Sequence, residues 1–491
     1  MKFSCKQENP MSVGFISLGC AKNLVDSQIM AGVLLSEGIA LAHSPEEADV
    51  VIVNTCAFIE EAREESVKTI LSACSLKADG PCRAVLVAGC LPQRYKEDLR
   101  KSLPDVDAFI GLDELEAVGD TVRRLAGGEC GILEVSDRAE KLFEPRLPGV
   151  VFTGGPYAYL KIAEGCNHHC SFCAIPMIRG AYRSHSIKQI VKEAEHLLEN
   201  GMKELNLISQ DVTSYGRDLG VGPVRRSPEQ GRGGEVGTDL SGLLRALGRI
   251  GGKFWIRLLY GYPSGVTDEL LDVMTEVPQV CHYLDLPIQH SHPEILQRMR
   301  RAETTGHVHN MAERIRGVMP DAVLRTTCLV GFPGETEEHF EHLVDFIRRI
   351  GFDHIGFFMF SPEEHTIAFN LPDRPDAEVA EERCEHLLLA QRDIVDKKAA
   401  GLIGTETEVL LERSHPEKKN IIIGRSQRFA PEVDGKIFVK GASEVDIGNF
   451  VRVKYTAQVD YDMEAELVQV PHFSLGCMPW RHAVDLPWQK P

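Results

Sequence analysis

Three cysteines within eight positions, in the stretch "EGCNHHCSFC", are the residues whose type and spacing most directly suggest chemistry. Cys166, Cys170 and Cys173 follow the strand-like run "YAYLKIAEG" with C-x3-C-x2-C spacing. Three thiolates on a cluster of four irons leave one iron without a protein ligand, so a cofactor or substrate can bind there. Zinc is an alternative if His168 and His169 complete a closed set of ligands. A disulfide is the weakest alternative, because cytosolic thiols stay reduced.

A second set of three cysteines lies at the ends of β-branched runs in the N-terminal part of the chain. Cys20, Cys56 and Cys90 follow or end the runs "VGFISLGC", "ADVVIVNTC" and "CRAVLVAGC". Each run leads into a helical pattern, and alternating strands and helices predict a parallel sheet. Because ligands collect at the carboxyl ends of parallel strands, we expect these thiols to converge as metal ligands. The alternative is that they are small buried hydrophobic residues.

The rest of the chain must position these cysteines, and its 491 residues are enough for roughly three folding units. We predict an α/β protein with a parallel α/β sheet domain at 11–145, a partial βα barrel at 152–395, a small antiparallel β-barrel at 398–470 and a tail at 471–491. The stretch at 217–240 is rich in Gly, Arg and Pro, and it is predicted to be a surface insertion.

Polar and glycine residues after the predicted strands of the central domain are candidates for cofactor binding. Gln210 and Asp211 follow the run "ELNLIS" and could bind an ammonium group, or they could simply form a turn. Gly331, Gly334 and Glu335 lie in "GFPGE" between a strand and a helix, where the backbone can approach a ligand closely. Ordinary turn chemistry explains that pattern nearly as well.

The net charge of −18 is unfavourable for binding a phosphate backbone, and a basic protein partner fits it more easily. Arg298, Arg300 and Arg301 are expected to form a solvated helix face. No run approaches the ~18 apolar residues that a membrane span needs, and the N-terminus lacks the apolar core of a secretory signal. We therefore expect a cytoplasmic protein without a membrane partner.

The C-x3-C-x2-C motif at the end of the first strand of a βα repeat resembles the signature of the radical S-adenosylmethionine enzymes. The resemblance implies that Cys166, Cys170 and Cys173 are catalytic and bind a 4Fe–4S cluster. It also implies that S-adenosylmethionine chelates the free iron, and that an electron from the cluster cleaves this cofactor to a 5'-deoxyadenosyl radical.

The order of the three domains resembles the methylthiotransferase family over nearly the whole chain, with the C-terminal barrel as its TRAM domain. By this resemblance, Cys20, Cys56 and Cys90 bind a second, auxiliary 4Fe–4S cluster that holds the sulfur to be transferred. The motifs "ISLGCAKNLVDSQ", "DLPIQHSHPEILQRMRR" and "LVGFPGETEE" are similar to the branch that adds a methylthio group to the β-carbon of an aspartate in small-subunit ribosomal protein twelve.

The resemblance implies several partners. They are the ribosomal protein, free or on the ribosome, an electron donor such as a flavodoxin or ferredoxin, and a sulfur donor, with no tRNA partner. Two alternatives stay open. One is a methylthiotransferase that acts on tRNA adenosine, and the other is a non-catalytic iron–sulfur electron-transfer or RNA-binding protein.

Overall fold

The computed structural model describes residues 11–143, 151–219, 237–301 and 303–469. These residues fold as two compact units, of which the first consists of 11–143, 151–152 and 174–181. The other described residues form the second unit. The predicted tail at 471–491 and positions 220–236 of the predicted insertion lie outside the described residues.

The first unit is built on a parallel sheet of six strands, β1 (Ser12–Ser17), β2 (Ala40–Leu41), β3 (Val50–Thr55), β4 (Ala84–Gly89), β5 (Ala108–Ile110) and β6 (Ile132–Glu134). The strand order is β2-β1-β3-β4-β5-β6. Every residue of β3 and β4 is buried. Continuous burial is typical of parallel strands whose sheet is covered on both faces, and it explains the unbroken apolar runs.

Helices alternate with these strands, and they are α1 (Ala21–Ser36), α2 (Glu60–Asp79), α3 (Cys90–Ser102) and α4 (Val118–Ala126). The first three begin within a few residues of the carboxyl ends of β1, β3 and β4, where the sequence changes from strand to helical periodicity. A fifth helix, α5 (Ile175–Arg179), also belongs to this unit although it follows Cys173 in the chain.

The second unit contains eight described strands before residue 403, which are β7 (Tyr157–Lys161), β8 (Ala163–Glu164), β9 (Arg183–Ser184), β10 (Glu204–Ile208), β11 (Trp255–Leu258), β12 (Val280–Asp285), β13 (Val323–Val330) and β14 (His354–Met359). Strands β14-β13-β12-β11-β10-β7 form a parallel sheet in that order, and β8 pairs with β9. The sheet has two edges, so this part is a partial barrel, as predicted.

In the described part of this unit, seven α-helices accompany that sheet, and they are α6 (Ile187–Glu199), α7 (Leu240–Leu247), α8 (Asp268–Glu276), α9 (Pro293–Arg298), α10 (Thr305–Val318), α11 (Glu337–Ile350) and α12 (Ala377–Leu402). Local sequence determines several of their starts. The side chain of Ser186 accepts a hydrogen bond from the amide of Gln189, and the Gln189 side chain accepts one from the Ser186 amide, which together form a capping box.

The C-terminal strands close into a five-stranded barrel in the order β15-β16-β17-β19-β18 when traced around the barrel. Its strands are β15 (Glu406–Ser414), β16 (Ile421–Arg425), β17 (Ile437–Lys440), β18 (Phe450–Val459) and β19 (Asp462–Gln469). All pairs are antiparallel except β17 with β19, which is parallel. Together with the two parallel sheets, this barrel confirms the predicted fold class.

A buried ionic network joins the barrel to the amino ends of the core strands. Nη2 of Arg425 lies 2.6 Å from Oε2 of Glu204 and 2.6 Å from Oε1 of Glu412. Glu204, the first residue of β10, also binds Nε of Arg257 at 2.7 Å. The cysteine stretch follows the carboxyl end of β7. The barrel therefore contacts the sheet at the opposite ends of its strands, the amino ends. Among the described residues, no helix is both long and apolar enough to cross a membrane.

Candidate metal centres

The cysteine loop of the second unit holds its three thiols close to one another in sequence and partly buried. Cys166, Cys170 and Cys173 form no disulfide, and all three are of intermediate exposure. The Cys173 amide donates to the carbonyl of Cys170 at 3.2 Å, and the His168 amide donates to Sγ of Cys166 at 3.4 Å. Burial raises the pKa of the Cys166 thiol to about 11. A thiol of this kind keeps its proton until a metal displaces it.

Arg301 corrects one sequence prediction, because it does not belong to a solvated helix face. Its side chain is only 4% exposed, and Nη1 donates to Sγ of Cys170 at 3.9 Å while Nη2 donates to the carbonyl of Pro287 at 2.7 Å. Arg298 and Arg300 are exposed, as predicted. Helix α9 ends at Arg298, Arg300 lies in the turn that follows, and Arg301 comes directly after that turn.

His168 is held by Asp211 instead of facing solvent. Nε2 of His168 lies 2.7 Å from Oδ2 of Asp211, and the ring stacks on Tyr262 with centroids 3.8 Å apart. Burial would raise the pKa of Asp211, but hydrogen bonds from His168, Ser214 and Thr213 lower it. The Asp211 bond uses Nε2 of His168, and His169 is exposed.

The other predicted cofactor residues differ in what surrounds them. Oε1 of Gln210 is buried and lacks a hydrogen-bond partner among the described residues, so it can accept a bond from a ligand. Glu335 binds Nη1 of Arg383 through Oε1 at 2.7 Å, and its buried Oε2, like Oε1 of Gln210, lacks a hydrogen-bond partner among the described residues. A Cβ on Gly331 would lie 2.7 Å from Cβ of Ala380, and packing within the protein therefore explains that glycine.

Gly334 also has an explanation within the protein. Its φ is +85°, and a Cβ there would lie 2.1 Å from Nη1 of Arg298. Contact between Gly331 or Gly334 and a cofactor stays a prediction.

The other three candidate cysteines lie at neighbouring strand ends of the first unit. Cys20 precedes α1 after β1, Cys56 directly follows β3, and Cys90 directly follows β4. Strand β3 lies between β1 and β4 in the sheet, so the three carboxyl ends are adjacent. Cys56 and Cys90 are buried, while Cys20 is exposed. The topology thus brings together residues that are about 35 positions apart.

Contacts and electrostatics show that these three thiols form one group. A Cβ on Gly19, whose φ is +87°, would lie 2.7 Å from Cβ of Cys56 and 3.1 Å from its Sγ. Burial and then the neighbouring thiols of Cys90 and Cys20 raise the pKa of Cys56 to about 12. The thiol of Cys90 lies 3.5 Å from Oδ1 of Asn23. Soft thiolates grouped in this way can hold an iron–sulfur cluster.

Sequence reasoning missed Arg179, which lies at the end of α5 and contacts this second group. Its Nη2 is 3.5 Å from Sγ of Cys90 and 2.8 Å from Oδ2 of Asp26. An arginine six positions after Cys173 was the only signal in the sequence, and nothing local indicates its burial.

A third group of metal-ligating side chains favours helix capping over metal binding. His292, Glu294 and His339 each place one ligand atom within 4.8 Å of the others. Nδ1 of His292 accepts from the amide of Glu294, and Nδ1 of His339 accepts from the amide of Thr336. Neutral rings bonded in this way carry their protons on Nε2. A metal-bound ring instead donates through its second nitrogen, so these rings are poor ligands.

Three family models match consecutive parts of the chain. They are "Uncharacterized protein family UPF0004" at residues 12–111, "Radical SAM superfamily" at 160–347 and "TRAM domain" at 403–468. The cysteines Cys20, Cys56 and Cys90 lie in the first match, and Cys166, Cys170 and Cys173 lie in the second.

Curated relatives match over almost the whole chain. The chain is 41% identical over 457 residues to ribosomal protein uS12 methylthiotransferase RimO of Natranaerobius thermophilus. This match covers 93% of this chain and 99% of the relative. It is 42% identical over 461 residues to the protein of the same name from Microcystis aeruginosa, with 94% and 100% covered. The relatives therefore share all three matched parts.

A solved structure shares the fold at low sequence identity. The radical S-adenosylmethionine methyltransferase TsrM from Kitasatospora setae, solved with cobalamin and a 4Fe–4S cluster, gives a TM-score of 0.52 at 13% identity. The match covers 73% of this chain and 74% of that protein. At this identity the similarity concerns the fold alone.

Proposed function

Since the chain belongs to the RimO family of radical S-adenosylmethionine methylthiotransferases, we propose that it adds a methylthio group to the β-carbon of an aspartate in ribosomal protein uS12. The family membership confirms the resemblance in the motifs, and the match to the TRAM model confirms the predicted barrel type. The observation that carries the proposal is the full-length similarity to relatives of that name. The two groups of three thiols supply the chemistry that this reaction needs.

The cysteine loop of the second unit suits the cluster that a radical S-adenosylmethionine protein binds. Cys166, Cys170 and Cys173 offer three soft ligands, and a cluster held by three thiolates supplies an open iron and an electron for cleaving the cofactor. Arg301 places a positive charge beside Cys170, which offsets part of the charge of three thiolates. The Asp211–His168 bond holds the loop against its neighbouring strand.

Gln210 is the protein group that we assign to the cofactor itself. Its buried Oε1 needs a donor, and an ammonium group such as that of the methionyl part of S-adenosylmethionine would provide one. Asp211 next to it is already committed to His168, Thr213 and Ser214, so it acts by positioning the loop. Glu335 pairs with Arg383 through Oε1 just before α11, and its buried Oε2 is a second candidate acceptor for the cofactor.

We assign the second group, Cys20, Cys56 and Cys90, to an auxiliary 4Fe–4S cluster that holds the sulfur to be transferred. Two observations support this assignment. The three cysteines lie at adjacent strand ends, and the backbone at Gly19, next to Cys20, lies so close to Cys56 that there is no room for a Cβ. Three thiolates again leave one iron free for an external sulfur. This second cluster separates the proposed reaction from simple cleavage of S-adenosylmethionine.

The acidic surface supports a protein substrate over tRNA. The chain has a net charge of −18, and the stretch from Thr405 to Val470 contains 12 acidic and 9 basic residues. Two of those basic residues, Arg425 and Arg428, are bound by carboxylates outside the barrel, those of Glu204 and Asp353. Such a barrel repels a phosphate backbone and attracts a basic ribosomal protein. We place the reaction in the cytoplasm, with a flavodoxin or ferredoxin as electron donor and a separate sulfur donor.

One experiment tests both the reaction and the substrate. The reconstituted protein is incubated without oxygen with S-adenosylmethionine, sulfide and a reductant, and with either a uS12 peptide or tRNA. We expect a mass gain of one methylthio group, replacing hydrogen, on the aspartate of the peptide. Modification of tRNA alone would contradict the proposed substrate. Intact clusters without cleavage of S-adenosylmethionine would favour an electron-transfer protein.

A second experiment tests the two cluster sites separately. Iron and sulfide are counted in the wild-type protein, in a Cys166→Ala/Cys170→Ala/Cys173→Ala variant and in a Cys20→Ala/Cys56→Ala/Cys90→Ala variant. We expect each triple variant to retain roughly half of the wild-type iron, because each triplet holds one cluster of about four irons. Full iron content in the second triple variant would overturn the auxiliary assignment. Cys130→Ala, which removes an exposed cysteine of the same unit, is the matched control.

A further inference from the structure

Arg179 is a buried cation at the second group of thiols, although it comes from a different stretch of sequence. It is the last residue of α5, which folds with the first unit, and it is 2% exposed. Its Nη2 contacts Oδ1 of Asn23 at 2.6 Å, Oδ2 of Asp26 at 2.8 Å and Sγ of Cys90 at 3.5 Å. Asn23 and Asp26 are themselves buried.

The partners of Arg179 connect the strand ends that carry the cysteines. Nδ2 of Asn23 donates to the carbonyls of Leu18 and Thr55, at 3.1 and 2.9 Å, so it joins the end of β1 to the end of β3. Arg179 holds Oδ1 of the same amide and also reaches the sulfur of Cys90 at the end of β4. One guanidinium group thus contacts the third strand end directly and the other two through Asn23.

The charge of Arg179 is balanced within this group. Asp26 neutralises the guanidinium group at 2.8 Å, and a buried cation without such a partner would be strongly unfavourable. The pair therefore adds little net charge, while Nη2, whose two hydrogens serve three acceptors, still donates a shared hydrogen bond to the sulfur. A hydrogen bond to a cysteine sulfur withdraws electron density and stabilises the reduced state of an iron–sulfur cluster.

We propose that Arg179 is a positioning residue of the auxiliary site, which fixes Cys90 and raises the reduction potential of the cluster held by Cys20, Cys56 and Cys90. This inference rests on the auxiliary cluster of the proposed function. Arg179 acts through Cys90 and Asn23, so it is not a catalytic residue. Helix α5, which follows Cys173 in the chain, thereby contributes a residue to the auxiliary site.

The test uses a protein that can hold only the auxiliary cluster. In a Cys166→Ala/Cys170→Ala/Cys173→Ala background, iron is counted and the reduction potential is measured by a titration followed by electron paramagnetic resonance. We expect Arg179→Met to lose at least half of the auxiliary iron, because Asp26 is left buried without its cation. The cluster that remains should have a more negative potential than the background protein.

A double variant separates positioning from simple structural support. Asp26→Leu/Arg179→Met replaces the buried ion pair with two apolar side chains of similar size, which is often neutral for stability. It also leaves the net charge unchanged. We expect the iron content to recover and the potential to stay more negative, since the hydrogen bond to Cys90 is still missing. Arg123→Met, which removes an exposed ion pair with Glu37 in the same unit, should change neither quantity.

Two results would overturn the inference in different ways. A double variant with the background potential would show that Arg179 only supports the fold. Absence of iron in the background protein itself, with Arg179 intact, would remove the auxiliary cluster and so refute the proposed function first. Arg179→Lys gives a further measurement, because a lysine lacks the planar fork and cannot keep both the Asp26 and the Cys90 contacts. We expect a potential between those of the background and of Arg179→Met.

Discussion

The buried network around Arg425 leads to a prediction about how the C-terminal barrel is attached. Arg425 is 2% exposed, and it binds Glu204, Glu412 and the carbonyl of Phe429 at 2.6 to 2.8 Å. Replacing it with methionine leaves Glu412 buried without its cation, while Glu204 keeps Arg257. Breaking a buried ion pair by removing one partner costs about 3–5 kcal/mol.

This cost can be measured by unfolding in urea. With a slope of about 2–3 kcal/mol/M, the expected destabilisation lowers the urea midpoint by roughly 1–2 M. Trp255 in β11 reports on the contact, because its ring centroid is 4.8 Å from that of Phe450 in the barrel. Phenylalanine replaces Trp480 and Trp488 in all variants, so that fluorescence comes from Trp255 alone.

An exposed ion pair on the same barrel provides the control. Nε of Arg452 lies 2.9 Å from Oε2 of Glu406, and these side chains are 62% and 44% exposed. Pairs of this kind contribute less than about 1 kcal/mol, so Arg452→Met should barely move the midpoint. If Arg425→Met and Arg452→Met gave equal shifts of that small size, the reasoning about burial would be wrong.

Three further predictions concern the cofactor site, the auxiliary site and acid stability. Gln210→Ala should weaken S-adenosylmethionine binding to the cluster-loaded protein by about 1–2 kcal/mol in calorimetry. Gln279→Ala, which removes a similarly unpartnered oxygen at the amino end of β12, should have no effect, and equal losses would contradict the assignment. Gly19→Ala should lower auxiliary iron because its Cβ meets Cys56, whereas Gly38→Ala, with φ +77° and open space, costs only ~1–2 kcal/mol of backbone strain. A normal content of auxiliary iron in Gly19→Ala would refute the inference that the close approach of Gly19 to Cys56 is needed for the cluster. Burial would raise the pKa of Glu204, but Arg257 and Arg425 lower it, so its contribution to stability is present above the ordinary glutamate pKa of about 4.3 and is lost as pH falls through the lowered value. The free energy of unfolding of the wild type should therefore exceed that of Glu204→Gln by less at pH 3 than at pH 6, and a pH-independent difference would contradict this.

Much of the candidate chemistry was accessible from the sequence because it depends on local spacing and on a topological rule. The C-x3-C-x2-C loop is a local pattern, and apolar runs that end in cysteine predict strands with ligands at one edge. Parallel pairing of β1, β3 and β4 then makes convergence of Cys20, Cys56 and Cys90 necessary, however far apart they are in the chain.

Charged residues were the main errors, and the reason is burial. Arg301 belongs to a run of closely spaced arginines that predicts a solvated helix face, yet its side chain lies against Cys170 and Tyr262. Arg179 offers no local sign that it will be buried beside Cys90. Helical periodicity shows which face of a helix is apolar, but it does not show which distant carboxylate will neutralise a cation.

By itself, therefore, the sequence determined the fold class, the two thiol triplets and the family, since these follow from periodicity, spacing and motifs. Only the tertiary structure decided which side chains surround the thiols, as in the bond between His168 and Asp211, and how the barrel is held, as in the pairing of Glu204 with Arg425 across 221 positions. A buried charge is stable only when its partner arrives from elsewhere in the chain, and that pairing is a property of three-dimensional packing.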